Sequence, residues 1–284
     1  MAEAVGSLQP FYLAYQGLND RALQKTYGAM LCQLIAAHYP QWTRPASPLS
    51  PQSSSPLRLA CALPPAPVPP HPEAQSYAWW LNFIQALLER DMPQLGIRIP
   101  STALRRCWTM RAHVHGQHWN AADLARSLSV EEDTARRYLD VLTGAFMIRQ
   151  LPPWFENTGK RLVKAPKVYF RDTGILHALL GLETQRAVQS HPKLGLSWEG
   201  FALEEVIRRA CAEREAYFYK THGGAELDLL LLRNGKRYGF ECKYHDAPRP
   251  TRSIHQVIQD LDLERVWIVY PGSTAYPLTE TINV

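Results

Sequence analysis

Glu226-Leu-Asp-Leu-Leu-Leu-Leu-Arg-Asn-Gly-Lys-Arg-Tyr-Gly-Phe-Glu-Cys-Lys-Tyr244 is the stretch on which the fold turns. Asn234-Gly235 lies between two apolar runs, and a two-residue type I′ loop needs residues that tolerate positive φ, so the spacing predicts a β-hairpin. With these two as the loop, Arg233 faces Lys236 and Asp228 lies directly opposite Glu241. Directly opposed Cβ atoms stand about 4.5–5.5 Å apart, where like charges repel. A carboxylate pair in an otherwise apolar hairpin therefore calls for a compensating cation, and Mg²⁺, a hard ion that takes one or two carboxylates and keeps several waters, fits. Lys243 lies two residues past Glu241 and projects from the same strand face, opposite Glu226 in this register, while Cys242 points the other way. An ammonium there can orient and help deprotonate an attacking water in metal-assisted phosphodiester hydrolysis. The competing account, a surface hairpin with an incidental Glu226–Lys243 ion pair, explains Lys243 but leaves Asp228 facing Glu241.

Around the hairpin the pattern reads helix, strand, strand, helix, strand. Trp198 to Cys211 has apolar residues at helical spacing with Glu199, Glu204 and Glu205 interspersed, an amphipathic helix carrying carboxylates. Ala216 to Tyr219 reads as a short strand, Ser253 to Leu261 as a helix and Arg265 to Tyr270 as a strand.

Upstream, Leu18 to Tyr39 is helical in spacing, capped by Asn19 or Asp20. Between Pro40 and Pro72 stand eleven of the 22 prolines. Proline at that density removes backbone donors and blocks helix, so an extended or disordered linker is expected. Helices are predicted at Ala74 to Arg90 and Ser101 to His115. Four segments follow: a helical fragment at 1–39, a linker at 40–73, a helical and winged-helix domain at 74–182, and an α/β domain at 183–284.

Asn120 to Ser129 and Glu132 to Thr143 read as two short helices packed through Leu124, Ala125, Leu128, Val130, Ala135, Leu139 and Leu142, a helix-turn-helix. Strand-like Phe146 to Leu151 and Lys167 to Phe170 flank a basic, turn-rich stretch, which is the layout of a winged helix. The second helix would carry Thr134, Arg136, Arg137 and Tyr138 on or near its exposed side, and the stretch between the strands carries Lys160, Arg161 and Lys164. These residue types contact phosphates and base edges. The same unit also serves as a protein–protein module, with the long side chains shielding its core. Between Ser101 and Arg171 there are twelve Lys/Arg and six Asp/Glu, so this segment carries the whole of the chain's net +5. DNA is one expected partner and another protein the other.

Composition excludes several classes. Apolar residues are 46% and charged residues 20%, a globular balance. No apolar run approaches the roughly 18–20 residues that cross a bilayer, and no signal peptide opens the chain, which leads us to expect a cytoplasmic protein with no membrane partner. The five cysteines are scattered, odd in number and never C-x-x-C, which suits free thiols. His113, His115 and His118 lack a fourth ligand and read as a solvated helix end.

Gly195-x-x-Trp-Glu199, Asp228 and Glu241-x-Lys243 together resemble the PD-(D/E)xK nuclease superfamily. The resemblance implies an α+β fold in which a mixed four-stranded sheet is flanked by helices. It also implies catalytic Asp228, Glu241 and Lys243, with Mg²⁺ held by Glu199, Asp228 and Glu241; Glu204 competes with Glu199 for the third place. More narrowly, Leu88-Glu-Arg-Asp-Met-Pro-Gln-Leu-Gly96, Leu139-Asp-Val-Leu, Lys167-Val-Tyr-Phe-Arg-Asp-Thr-Gly174, Trp198-Glu-Gly-Phe and Glu226-Leu-Asp resemble bacterial AAA-type ATP-binding proteins with domain of unknown function 4143. Those proteins carry a phosphate loop upstream, but no G-x-x-x-x-G-K-[ST] occurs here, so no ATP is expected. Pro10-Phe-Tyr-Leu-Ala-Tyr-Gln-Gly-Leu18 and Tyr39-Pro-Gln-Trp42 resemble a fragment of tetratricopeptide-repeat O-linked N-acetylglucosamine transferases. Such a joining implies a rearranged or truncated gene. Two functions follow as expectations: Mg²⁺-dependent DNA hydrolysis, or a non-catalytic DNA- or protein-binding module.

Overall fold

The structure, a computed structural model, describes residues 73–155, 159–210, 212–272 and 274–284. The helix expected at 18–39, the proline-rich linker and the transferase-like fragment lie outside the described residues. Those described fall into two compact units divided between Arg105 and Arg106. In the first, helix α1 (Glu73–Ala86) runs into a π-helical turn, Leu87–Asp91, and then a short helical turn at Met92–Gln94. Helix α2 (Ser101–Ala112) crosses the division.

The second unit opens with α3 (Ala121–Leu128) and α4 (Glu132–Gly144). The Asn120 side chain accepts the Asp123 amide to cap α3, and Ser129 adopts φ 57° to end it. Ala121, Leu124, Ala125 and Leu128 are buried on α3, as are Ala135, Tyr138, Leu139 and Leu142 on α4. A two-stranded antiparallel ribbon follows, β1 (Ile148–Leu151) with β2 (Lys167–Phe170). The other edge of β2 is held by residues 116–119, through Gly116 N–H to the Val168 carbonyl at 2.9 Å and Val168 N–H to the Gln117 carbonyl at 3.1 Å. Helices α5 (Thr173–Leu179) and α6 (Gln185–Gln189) lead to the long α7 (Leu194–Ala210).

Next come β3 (Ala216–Lys220), β4 (Glu226–Arg233), β5 (Lys236–Cys242), α8 (Arg252–Leu261), β6 (Arg265–Val269) and β7 (Ile282–Asn283). The sheet order is β3-β4-β5-β6-β7, antiparallel as far as β5 and parallel from there on. The fold is a mixed α+β one, with five strands where four are expected. The two-residue β7 pairs with β6 at Val266↔Ile282, and so short a terminal strand has no periodicity to read. The hairpin forms as its turn requires, with Asn234 at φ 51° and Gly235 at φ 75°. A helix packs on each sheet face: Leu203 and Ile207 of α7 cluster with Leu229, Leu231 and Phe240, and Ile254, Val257 and Leu261 of α8 with Leu227, Leu230 and Ile268.

Residues 106–284 are a single compact unit, and the boundary expected at 182/183 passes through it. The segment after β1 runs along the edge of β3, with Trp154 N–H donating to the Phe218 carbonyl at 2.7 Å and Phe218 N–H to the Pro152 carbonyl at 3.0 Å. That contact covers a strand edge that would otherwise be open.

Candidate functional site

The acidic site begins with a bulge. Tyr217 pairs with Leu230 and Tyr219 with Leu227, so β4 carries one extra residue, at Asp228-Leu229, opposite Phe218. Its effect is visible in the core: Leu227 and Leu229, two apart in sequence, lie in clusters on opposite sheet faces. The β4–β5 ladder runs from Arg233↔Lys236 to Leu229↔Phe240, and past it the Asp228 carboxylate accepts the Cys242 amide at 2.9 Å. Asp228 thus turns to the α7 side, beside Lys167, which also reaches Glu199 of α7. Phe240 is on that side too, so the pleat sends Glu241 to the α8 side together with Ile268, its neighbour on β6. The expected register holds from Arg233↔Lys236 to Leu229↔Phe240. Past it the bulge turns the Asp228 carboxylate toward Lys167, and its charge remains the largest acting on Glu241.

The compensating cations are lysines. Lys167, buried on β2, places its ammonium 2.9 Å from Glu226, 3.2 Å from Glu199 and 3.6 Å from Asp228. The Tyr169 hydroxyl donates to the same Glu199 oxygen at 2.5 Å. Burial works against the Lys167 charge, yet Tyr169, Glu199, Asp228 and Glu226 hold its pKa well above the ordinary lysine value. Glu226 takes Lys220 as its second partner, at 2.6 Å, instead of the Lys243 expected opposite it. Lys243 pairs with Glu241 at 2.6 Å, as two same-face residues can. Burial, then the Glu199 charge, pushes the Asp228 carboxyl up to about 6; burial, then Asp228, pushes Glu241 up to about 7. The Glu241 Oε2 atom is buried without a hydrogen-bond partner.

Glu199, rather than Glu204, stands at this cluster. Glu204 belongs to another network, in which Arg149 and Arg171 bridge it to Glu213. Carboxylate chemistry suits Mg²⁺, and Glu199, Asp228 and Glu241 are the residues that would hold it. Lys167 sits among Glu199, Glu226 and Asp228, and among the described residues no three His, Cys, Asp or Glu side chains are gathered to hold a metal. The sequence reading missed Lys167 and Tyr169; buried charge in a short apolar strand, Lys167-Val-Tyr-Phe170, was the available signal.

Of the residues expected to meet nucleic acid, Arg137, Arg161 and Lys164 are exposed and Thr134 is half-buried. Arg136 is exposed and paired with Glu132 at 3.0 Å, and Lys160 holds Asp260 at 2.6 Å. Tyr138 is not on the exposed side. It is 8% exposed, in the apolar row of α4. Nor is His115 solvated. Buried against α7, its Nδ1 accepts the Phe170 amide at 3.1 Å, so Nε2 carries the proton donated to the Leu196 carbonyl at 3.1 Å. Burial pulls its pKa down to about 3.

Two family matches cover this unit and reach into the first unit. Residues 194–284 match a domain of unknown function, DUF4143. Residues 64–186 match another, DUF8612. Lys167 and Tyr169 lie in the second match, and Glu199, Glu226, Asp228 and Glu241 in the first, so the acidic site joins both. The chain is 50% identical over 207 residues to an uncharacterized protein of Mycobacterium bovis and, equally, to one of Mycobacterium tuberculosis. That similarity covers 73% of this chain and 47% of each relative, so the chain spans about half the length of the curated relatives it matches. No solved structure matches.

Proposed function

We propose that this chain is a nucleic-acid-binding module from the C-terminal part of an ATPase-associated protein. It joins a helix-turn-helix and ribbon of winged-helix type to a PD-(D/E)xK-like scaffold that binds rather than cuts. The observation that carries this reading is the Lys167 ammonium among Glu199, Glu226 and Asp228. It offsets part of the acids' charge from within, in the place a bound cation would otherwise take. The exposed Arg137, Arg161 and Lys164 supply phosphate-facing charge.

The second reading is Mg²⁺-dependent DNA hydrolysis, and the unpartnered Glu241 Oε2 favours it. It requires Glu199 and Asp228 to exchange Lys167 for the metal. Labelled single- and double-stranded DNA separates the two readings when binding is measured in EDTA and cleavage in Mg²⁺ or Mn²⁺, for wild type and Lys243→Ala in parallel. Binding without cleavage is expected. Cleavage by wild type that Lys243→Ala loses would establish the hydrolase instead, while equal cleavage by both marks a contaminant. Absence of binding removes the nucleic-acid reading and leaves a protein-binding module.

A further inference from the structure

Three aromatic rings meet at the surface where α7 and the end of β5 come together. Trp198 on α7 lies 5.8 Å from Phe201, one helical turn on, and 6.1 Å from Tyr244. Phe201 and Tyr244 are each 45% exposed, an unusual state for large rings with an apolar core within reach. The backbone fixes the group. The Val269 carbonyl accepts both the Trp198 indole N–H, at 3.4 Å, and the Lys243 amide, at 2.9 Å. The platform and the candidate lysine therefore share one anchoring atom.

We propose that Trp198, Phe201 and Tyr244 form a stacking platform for the bases of single-stranded nucleic acid, an inference that rests on the nucleic-acid-binding reading. Every base has a π-face, and rings beside basic side chains are how a protein holds a strand without reading its sequence. The segment that carries Tyr244 is basic. From Lys243 to Arg252 the chain carries Lys243, Arg249 and Arg252 against Asp246, three positive to one negative. Arg249 and Arg252 are exposed. A protein partner would need a contiguous face of about 800 Å², whereas three rings match a base or two.

The test is fluorescence anisotropy in EDTA, so that no cleavage can contribute, using a labelled oligothymidylate of about 12 nucleotides and an abasic strand with the same number of phosphates. Wild type should bind the oligothymidylate more tightly. Phe201→Ala and Tyr244→Ala should each weaken that binding about 5- to 150-fold, leave abasic binding unchanged, and retain the wild-type melting temperature, since both rings are half out in solvent. Tyr244→Phe, which keeps the ring, should bind as wild type does. Equal affinity for the two strands, or alanine variants that bind normally, would overturn the platform while leaving phosphate-driven binding intact. If neither strand binds wild type, the wider reading fails as well.

Discussion

Lys167 is the residue whose removal tests the acidic site most directly. Deleting one partner of a buried ion pair leaves uncompensated charge and costs about 3–5 kcal/mol, and Lys167→Met leaves three carboxylates without their shared ammonium. Urea unfolding should show a loss of that order. Added Mn²⁺ should raise the melting temperature of the variant and not of wild type, because a divalent ion replaces the missing charge; no response to metal in Lys167→Met would mean that the acids find other partners. Glu241 makes a prediction of opposite sign. Its folded pKa, about 7, lies above the ordinary value of 4.5, so the native state holds the extra proton between those limits. Its contribution is thus full below about pH 4.5 and is lost as pH rises through 7. Glu241→Gln, a neutral isostere, should be more thermostable than wild type at pH 8 and lose that advantage near pH 4.5.

Helix α7 is positioned by a glycine. A Cβ at Gly200 would lie 2.5 Å from His115 Nε2 and 2.8 Å from its Cε1, and the ring cannot retreat without giving up the Phe170 amide or the Leu196 carbonyl. Overpacking of this kind costs about 1–3 kcal/mol, so Gly200→Ala should lower the melting temperature. His115→Ala should recover part of that loss in the double variant, and additive losses would show that the two sites are not in contact. On β4 it is the bulge that decides. Alternation alone gives no reason for Asp228 to reach Lys167, and one extra residue against β3 turns it there. Sequence carries no sign of that bulge, because Leu227, Leu229, Leu230 and Leu231 are equally acceptable on either sheet face.

At the scale of the molecule, the ribbon and the sheet are one unit although two family matches divide them at 186 and 194. A fragment of 194–284 alone lacks Lys167 for Glu199, Glu226 and Asp228, and lacks Arg149 and Arg171 for Glu204 and Glu213. It should show no cooperative thermal transition by circular dichroism. A fragment of 101–284 should melt cooperatively, and a sharp transition in the shorter piece would show that the acidic networks are dispensable.

Local chemistry sufficed for much of this architecture. Asn234-Gly235 set the hairpin and its register as far as Leu229↔Phe240, Asn120 capped α3, and the apolar spacing of α4, α7 and α8 marked their buried faces. Those are nearest-neighbour effects, written in turn residues and periodicity. Lys167 could not be placed that way. Its partners are 32 to 61 residues distant, and which acids share a lysine depends on how the ribbon docks along the β3 edge and where β4 bulges. Sequence therefore determined which acids were available, and only the tertiary structure decided which of them meet, because the low-dielectric interior brings together charges that nothing in the local pattern pairs.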